Sequence, residues 1–381
     1  MRVAGCTRMC SRLPIVWCVV PLAIAACSAD DSPSSPAANA SAMPDGGGPG
    51  SAGDAQTPKI DGGQTGGPDA GGPRPDAQTS GPALASKYPG DIGIDKDPAV
   101  IWAENFEESS VSAVTSRYED FKNASGMALV NDVPPKSGGH ASMRMNAGVS
   151  ANATDLYKTF ANRDELYARW YAKYQAGILW HHSGVWFGGY NPVSNYPNPQ
   201  AGLKPNGNDR FAIAVEPSIG IGGSAPRLDY YNYWMQMRSW MDTPSGDTAY
   251  YGNAMIHSNA LTLDEGQWIC LEVHVKLNAD VSSGKGAVLE VWKNDALIQR
   301  LDETGPSGYW LKDNFCTPAA DGRECRDYPR QADTIANLQL RNTASLQLNY
   351  FWPQNYITEG PDGNLQFDDM VVASERIGCL H

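Results

Sequence analysis

From Trp268 to Lys276 the chain alternates without a break. Ile269, Leu271, Val273, Val275 and, beyond the strand, Leu277 fall on one side of an extended backbone, and Trp268, Cys270, Glu272, His274 and Lys276 on the other. A period of two with one apolar side marks a strand lying on a core. The pattern repeats from Ala287 to Lys293, where Ala287, Leu289 and Val291 oppose Val288, Glu290 and Trp292. Ser282-Ser283-Gly284-Lys285-Gly286 supplies turn residues between the two runs, so the stretch through Asp295 predicts a β-hairpin. Its apolar side is scaffold. The second side of the first strand sets an acid, an imidazole and an amine in a row, and it reads either as the floor of a groove or as an exposed cross-strand ladder.

The same period recurs elsewhere. In Glu165–Tyr174, Leu166, Ala168, Trp170, Ala172 and Tyr174 alternate with Tyr167, Arg169, Tyr171 and Lys173. Good helix formers are present, but the crowding of tyrosine and tryptophan favours a strand. Arg210 to Glu216 turns Phe211, Ile213 and Val215 inward, and Arg227 to Met237 is aromatic on both faces. Further strands are expected at Ala99–Phe106, Ser142–Asn146, Leu156–Phe160, Ile335–Arg341, Leu346–Trp352 and Gln366–Ala373. Gly177 to Pro192, which holds His181 and His182, reads as a Gly-rich loop. Helix-period segments are scarce and no internal repeat is visible. The class is all-β, a two-sheet antiparallel sandwich.

The first 87 residues do not share this pattern. Residues 1–26 carry a basic start (Arg2, Arg8, Arg12), an apolar run from Leu13 to Ala26 and then Cys27, as in a bacterial lipoprotein signal. Cys27 is therefore expected to be lipidated, and Ser28 after it favours the outer membrane or cell surface. Residues 27–87 are rich in Ser, Pro, Ala, Asp and Gly. Such a segment cannot bury enough surface to offset its ordering entropy and reads as a tether, its ends on the order of 40 Å apart. The carbohydrate-active domain is expected over 88–381.

Export fits the cysteines. Four remain in the domain, Cys270, Cys316, Cys325 and Cys379, and suggest two disulfides. Three pairings are possible; Cys316–Cys325 and Cys270–Cys379 are favoured. No Cys-x-x-Cys pair supports zinc, and no metal ligand set is assigned. The net charge of −13, without a basic stripe, argues against nucleic acid. The membrane is expected as a partner through the lipid anchor only, and the protein as a monomer.

Three segments together resemble the jelly-roll polysaccharide lyases acting on alginate and glucuronan, within the concanavalin-like sandwich group. They are Tyr167–Tyr174 leading into Trp180–Gly189, the Trp268–Asn294 hairpin with its Val-Lys-Leu-Asn and Val-Trp-x-Asn pattern, and Phe367-Asp368-Asp369 with its Val-Val-Ala tail. The resemblance implies a concanavalin-like jelly roll, a polysaccharide partner and cleavage of a uronic-acid polymer by β-elimination. Where that family has a basic residue in a turn before a Gly-Gly pair, this chain has His181 and His182 before Gly188-Gly189. The family's Tyr-x-Tyr strand matches Tyr231 and Tyr233. Its Ser-x-Arg pair falls on Ala212 and Ala214, which can donate nothing.

The catalytic candidates are thus His181, His182, Tyr231 and Tyr233. A histidine can take the proton beside the carboxylate, a tyrosine can protonate the leaving oxygen, and a cation must neutralise the carboxylate. Arg169, Lys173 or His274 is expected to supply that cation, with Tyr171, Trp234 and Tyr350 also binding substrate. No cofactor is required; Asp368-Asp369 could help hold a structural calcium. The other reading is a non-catalytic glycan-binding or structural envelope lipoprotein, since aromatic faces stack on sugars without cleaving them. Paired-carboxylate hydrolysis, a Gly-x-Ser-x-Gly nucleophile, His-Glu-x-x-His and phosphate loops lack their motifs.

Overall fold

A computed structural model describes residues 82–151, 153–198, 200–218, 226–239, 250–306, 308–317, 325 and 338–381. The expected leader, the expected lipidation site Cys27 and the expected tether as far as residue 81 lie outside the described residues.

Alternation translates into strands almost everywhere it was strong. In chain order they are β1 (Val100–Glu104), β2 (Asp120–Lys122), β3 (Met127–Val130), β4 (Ser142–Ala147), β5 (Thr154–Arg163), β6 (Glu165–Tyr174), β7 (Gly184–Tyr190) and β8 (Arg210–Ser218). Then come β9 (Arg227–Tyr233), β10 (Trp268–Lys276), β11 (Val288–Lys293), β12 (Ala296–Leu301), β13 (Tyr309–Leu311), β14 (Asn314–Cys316), β15 (Leu348–Asn355) and β16 (Gly363–Ala373). One short helix, α1 (Val111–Thr115), is capped by the Ser110 side chain, which accepts from the Ala113 amide at 3.2 Å.

Among the described residues the strands form two large antiparallel sheets and a separate two-stranded one, β13-β14. The back sheet runs β12-β11-β10-β6-β16-β4-β3, with β1 also on β16, and the front sheet runs β2-β5-β15-β7-β8-β9. They share one core. Leu271, Val273 and Trp170 from the back sheet pack with Phe187, Ile213 and Phe351 from the front. The Tyr230 hydroxyl reaches across to the Glu290 carbonyl at 2.6 Å. This is the two-sheet antiparallel sandwich that the periodicity implied, with the jelly-roll form that the resemblance implied.

The predicted hairpin is β10–β11, in register from Leu271 opposite Lys293 to Lys276 opposite Val288. Its apolar face lies in the core as expected. The other face is neither groove floor nor exposed ladder, because both ends of the domain fold over it. Leu84, Ile94 and Ile377 pack on Tyr167 and Trp292, and Glu272 accepts the Ile377 and Gly378 amides at 2.7 and 3.0 Å. The Cys270–Cys379 disulfide ties the C-terminal strap to β10, and Cys316–Cys325 closes the second pair. Leu84 and Ala85 are buried, so the ordered domain begins before residue 88.

Two local expectations change. Gly184–Tyr190 is not loop but a central strand, between β15 and β8. Its glycines answer close backbone approach: a Cβ on Gly184 would sit 2.1 Å from the Val215 carbonyl oxygen, and one on Gly188 2.3 Å from that of Phe211. Of the expected strand Ile335–Arg341, the described part, Leu338–Arg341, pairs with no strand. Its Leu340 and Arg341 amides donate to the Asn278 side chain at 3.0 Å each, so a side chain fills the place of a ladder.

Candidate functional site

The front sheet's outer face carries the candidate chemistry. Register lays its residues out in rows. Asp155, Gln354, Gly184 and Glu216 stand side by side across β5, β15, β7 and β8. One step along the strands, Trp352, Trp186, Ala214 and Tyr231 form the next row across β15, β7, β8 and β9. Tyr350, Gly188, Ala212 and Tyr233 form the third. Gly184, Gly188, Ala212 and Ala214 thus flank Trp186 between aromatic walls; in this strip, the trough, Trp186, Tyr233 and Tyr350 are buried.

The rings touch in sequence. Trp186 lies 5.7 Å from Trp352, 6.0 Å from Tyr231 and 6.0 Å from Tyr233, the last in a stacked arrangement. Tyr350 is sandwiched between Tyr157 and Tyr190 at 5.4 and 5.1 Å. Tyr230, with the opposite parity, points into the core, so Tyr231 and Tyr233 point away from it.

His182 closes one end of the trough. Its Nδ1 is 2.9 Å from Glu216 Oε1, its carbonyl accepts from Gln354 Nε2 at 3.2 Å, and its ring meets Tyr231 edge-on at 5.4 Å. The carboxylate holds the imidazole with Nδ1 turned toward it, leaving Nε2 as the nitrogen available for proton transfer. The backbone at His182 is left-handed, φ 59°, which folds the side chain back over the sheet. His181 stacks on it with ring centroids 3.6 Å apart. Burial, with the neighbouring His182 adding to it, pushes the His181 pKa down to about 3, so this ring stays neutral. The Tyr231 and Tyr233 hydroxyls, 3.5 Å apart, are both held above the usual phenol range by burial. They keep their protons at neutral pH and can serve as donors.

Among the described residues Glu216 Oε2 and the Trp186 indole nitrogen have no hydrogen-bond partner, while buried Asp155 is answered by Lys122 at 4.0 Å and by the Trp352 indole beside it. Burial raises the Asp155 carboxyl to about 6, against the pull of Lys122. Buried polar groups are ordinarily satisfied, so the open atoms on Glu216 and Trp186 are what a polar ligand would fill.

The other predicted residues go elsewhere. Arg169, Tyr171, Lys173 and His274 are on the outer face of the back sheet, across the core from His182. Arg169 is buried against Asp91, the Tyr171 hydroxyl accepts the Leu380 amide at 2.8 Å, and Lys173 pairs with Asp132 at 2.8 Å. His274 is held between Glu290 at 2.5 Å and Glu165 at 2.8 Å. None of the four supplies the groove's cation. Trp234 is core, its indole donating to Asn253 at 3.1 Å. Tyr350 is on the groove face, but covered within its stack. Sequence reasoning missed Glu216, Arg210, Asp155, Trp186, Trp352 and Gln354. Parity was the available signal: Arg210, Ala212, Ala214 and Glu216 must share the face opposite Phe211, Ile213 and Val215.

Asp368 and Asp369 sit at a bulge in β16. Asp369 lines a cavity of about 320 Å³ on the back sheet's side of the molecule, with Asp91, Glu104 and Glu107. One oxygen of each aspartate is buried without a partner, and burial raises both carboxyls. Arg117 lines the same cavity and Glu107 Oε1 already accepts the His140 and Ala141 amides, so among the described residues these carboxylates do not converge as a ligand set for the expected structural calcium.

No family model and no curated relative matches this chain. Among solved structures it is similar to the alginate lyase Aly36B (TM-score 0.48, 10% identity, 74% of this chain and 99% of that one). It is also similar to the PL-14 alginate lyase from Aplysia kurodai (0.45, 12%, 72% and 99%) and to the cellulose-induced protein Cip1 (0.32, 17%, 66% and 87%). At this level the likenesses assign neither activity nor substrate.

Proposed function

We propose that the protein is a polysaccharide lyase that cleaves a uronic-acid chain by β-elimination in the front-sheet trough. The observation that carries this reading is the Glu216–His182 pair set edge-on to Tyr231 on a face of aromatic rings. Glu216 keeps a proton on Nδ1, so Nε2 removes the proton from the carbon beside the sugar carboxylate. The electrons left behind form the new carbon–carbon double bond as the neighbouring carbon–oxygen bond breaks. Tyr231 or Tyr233 gives its proton to the leaving oxygen, and the two side chains recover their protonation states by exchange with water. The products are an unsaturated chain end and a new hydroxyl end. Anchoring of the domain at the cell envelope through Cys27 belongs to the same proposal, and Cys27→Ser would move the protein from the membrane fraction to the soluble one; unchanged membrane association would refute it.

A second reading, a glycan-binding protein without catalysis, has its own observation. Ala212 and Ala214 place no cation in the rows beside His182, while Glu216 and Asp155 place carboxyls there. A panel of polyuronates, read by ultraviolet absorbance of new unsaturated ends and by retention on immobilised polymer, separates the two. Absorbance supports the lyase, retention without absorbance supports the binder, and neither signal from folded protein defeats both.

A further inference from the structure

We infer that the end of the trough farthest from His182 is a subsite for one acidic sugar ring, with Arg210 taking the carboxylate and Gln200 a hydroxyl. This deepens the glycan reading of the trough and rests on it. Arg210 opens β8, stands opposite Tyr190 of β7, and shares the face of Ala212, Ala214 and Glu216. Six residues separate it from Glu216, roughly 20 Å along a strand. It therefore serves a different ring from the one at His182.

The local bonding is incomplete in a specific way. Arg210 Nε is buried and unpartnered among the described residues. Its ion pair with Asp209 is a loose 3.6 Å contact to a carboxylate that is 48% exposed. Gln200, 6% exposed, donates Nε2 to the Tyr190 hydroxyl at 3.0 Å and to the Asn198 carbonyl at 2.7 Å, and its Oε1 is left without a partner. The Tyr190 hydroxyl also accepts the Asn198 amide at 3.0 Å, which leaves its own proton to give. Burial raises the Tyr190 and Tyr350 pKa values, and the Arg210 charge is among the influences working against it.

An unfilled guanidinium donor, an unfilled amide acceptor and a spare hydroxyl proton are thus gathered at one place. A carboxylate fits the first and a ring hydroxyl the second, and a uronate offers both. A neutral sugar would leave the Arg210 Nε without a partner, and sites built for a polar group reject analogues that lack it.

The test uses the full chain, a soluble polyuronate, and the same polymer with its carboxylates reduced to alcohols. Wild type should bind the acidic polymer at least about tenfold more tightly, the worth of one hydrogen bond to a charged group. Arg210→Gln should erase that preference and its salt dependence without weakening binding of the reduced polymer, and Arg210→Lys should retain part of it. Equal binding of both polymers by wild type, or a preference undiminished in Arg210→Gln, overturns the subsite while leaving the trough a glycan site. Binding of neither polymer by wild type overturns the subsite together with the reading beneath it. Should Arg210→Gln fail to fold, the wild-type preference and Arg210→Lys still decide.

Discussion

On the outer side of β6, Arg169 is fully buried, pairs with Asp91 and donates to the Asp369 carbonyl; on the outer side of β8, Arg210 is 20% exposed and its guanidinium has, among the described residues, only a 3.6 Å contact to Asp209. The contrast extends along both faces. His274 on the back sheet is clamped by two glutamates under a terminal strap, whereas His182 on the front has one glutamate and a half-buried ring. Both faces alternate polar and aromatic side chains, and both were candidates from sequence. What separates them is cover. The back face lies under both ends of the domain, which pack on Tyr167 and Trp292 and bond Glu272, although Arg169 Nε, Asp91 Oδ1 and one oxygen each of Asp368 and Asp369 lack a hydrogen bond among the described residues. The front face carries no such strap from the domain ends among the described residues.

The back face should therefore answer to stability and the front to activity. The largest effect is expected from Asp91→Ala, which strands the Arg169 charge in the interior. Loss of one partner of a buried pair costs about 3–5 kcal/mol. Denaturant unfolding should show it, while a substitution at His182 should leave unfolding nearly unchanged. An Asp91→Ala protein as stable as wild type would break the comparison on its back side.

A smaller effect concerns pH. Burial alone would depress the His274 pKa, but the hydrogen bonds from Glu165 and Glu290 outweigh it and raise the value above its ordinary 6.5. A group with a raised folded pKa contributes stability that is complete below its unfolded value and is lost as pH rises through the folded one. Wild type should therefore lose stability as pH climbs from about 6.5, and His274→Gln should flatten that part of the curve. The same slope in both proteins would show that His274 is not charged in the fold.

Much of this fold was legible. Strict alternation in Glu165–Tyr174 and Trp268–Lys276 fixed two neighbouring strands of the back sheet, because a period of two with one apolar side has few other uses. That there are two disulfides was legible from counting four cysteines; Cys270–Cys379 and Cys316–Cys325 were the favoured pairing of three, and both are present. The site was legible in pieces: His182, Tyr231 and Tyr233 share one face, as the Tyr-x-Tyr spacing suggested. The cation was not. Arg169, Lys173 and His274 alternate as convincingly as any groove residue, and periodicity does not say which outer face a strap will cover. That depends on Leu84, Ile94 and Ile377, contributed by the two ends of the domain and more than 60 residues from β6 or β10, a separation no local pattern records. β7 escaped for the opposite reason: its glycines read as loop, yet they are there because neighbouring backbones approach too closely for a Cβ.

The most direct measurement is ultraviolet absorbance from polyuronates incubated with wild type and with His182→Ala, both checked for the same melting temperature. The account predicts steady formation of unsaturated ends by wild type and a fall of about 10²–10⁴-fold in the variant, the usual worth of a positioned proton-transfer group. Equal rates in the two proteins, or no product from folded wild type on any polyuronate, would contradict it.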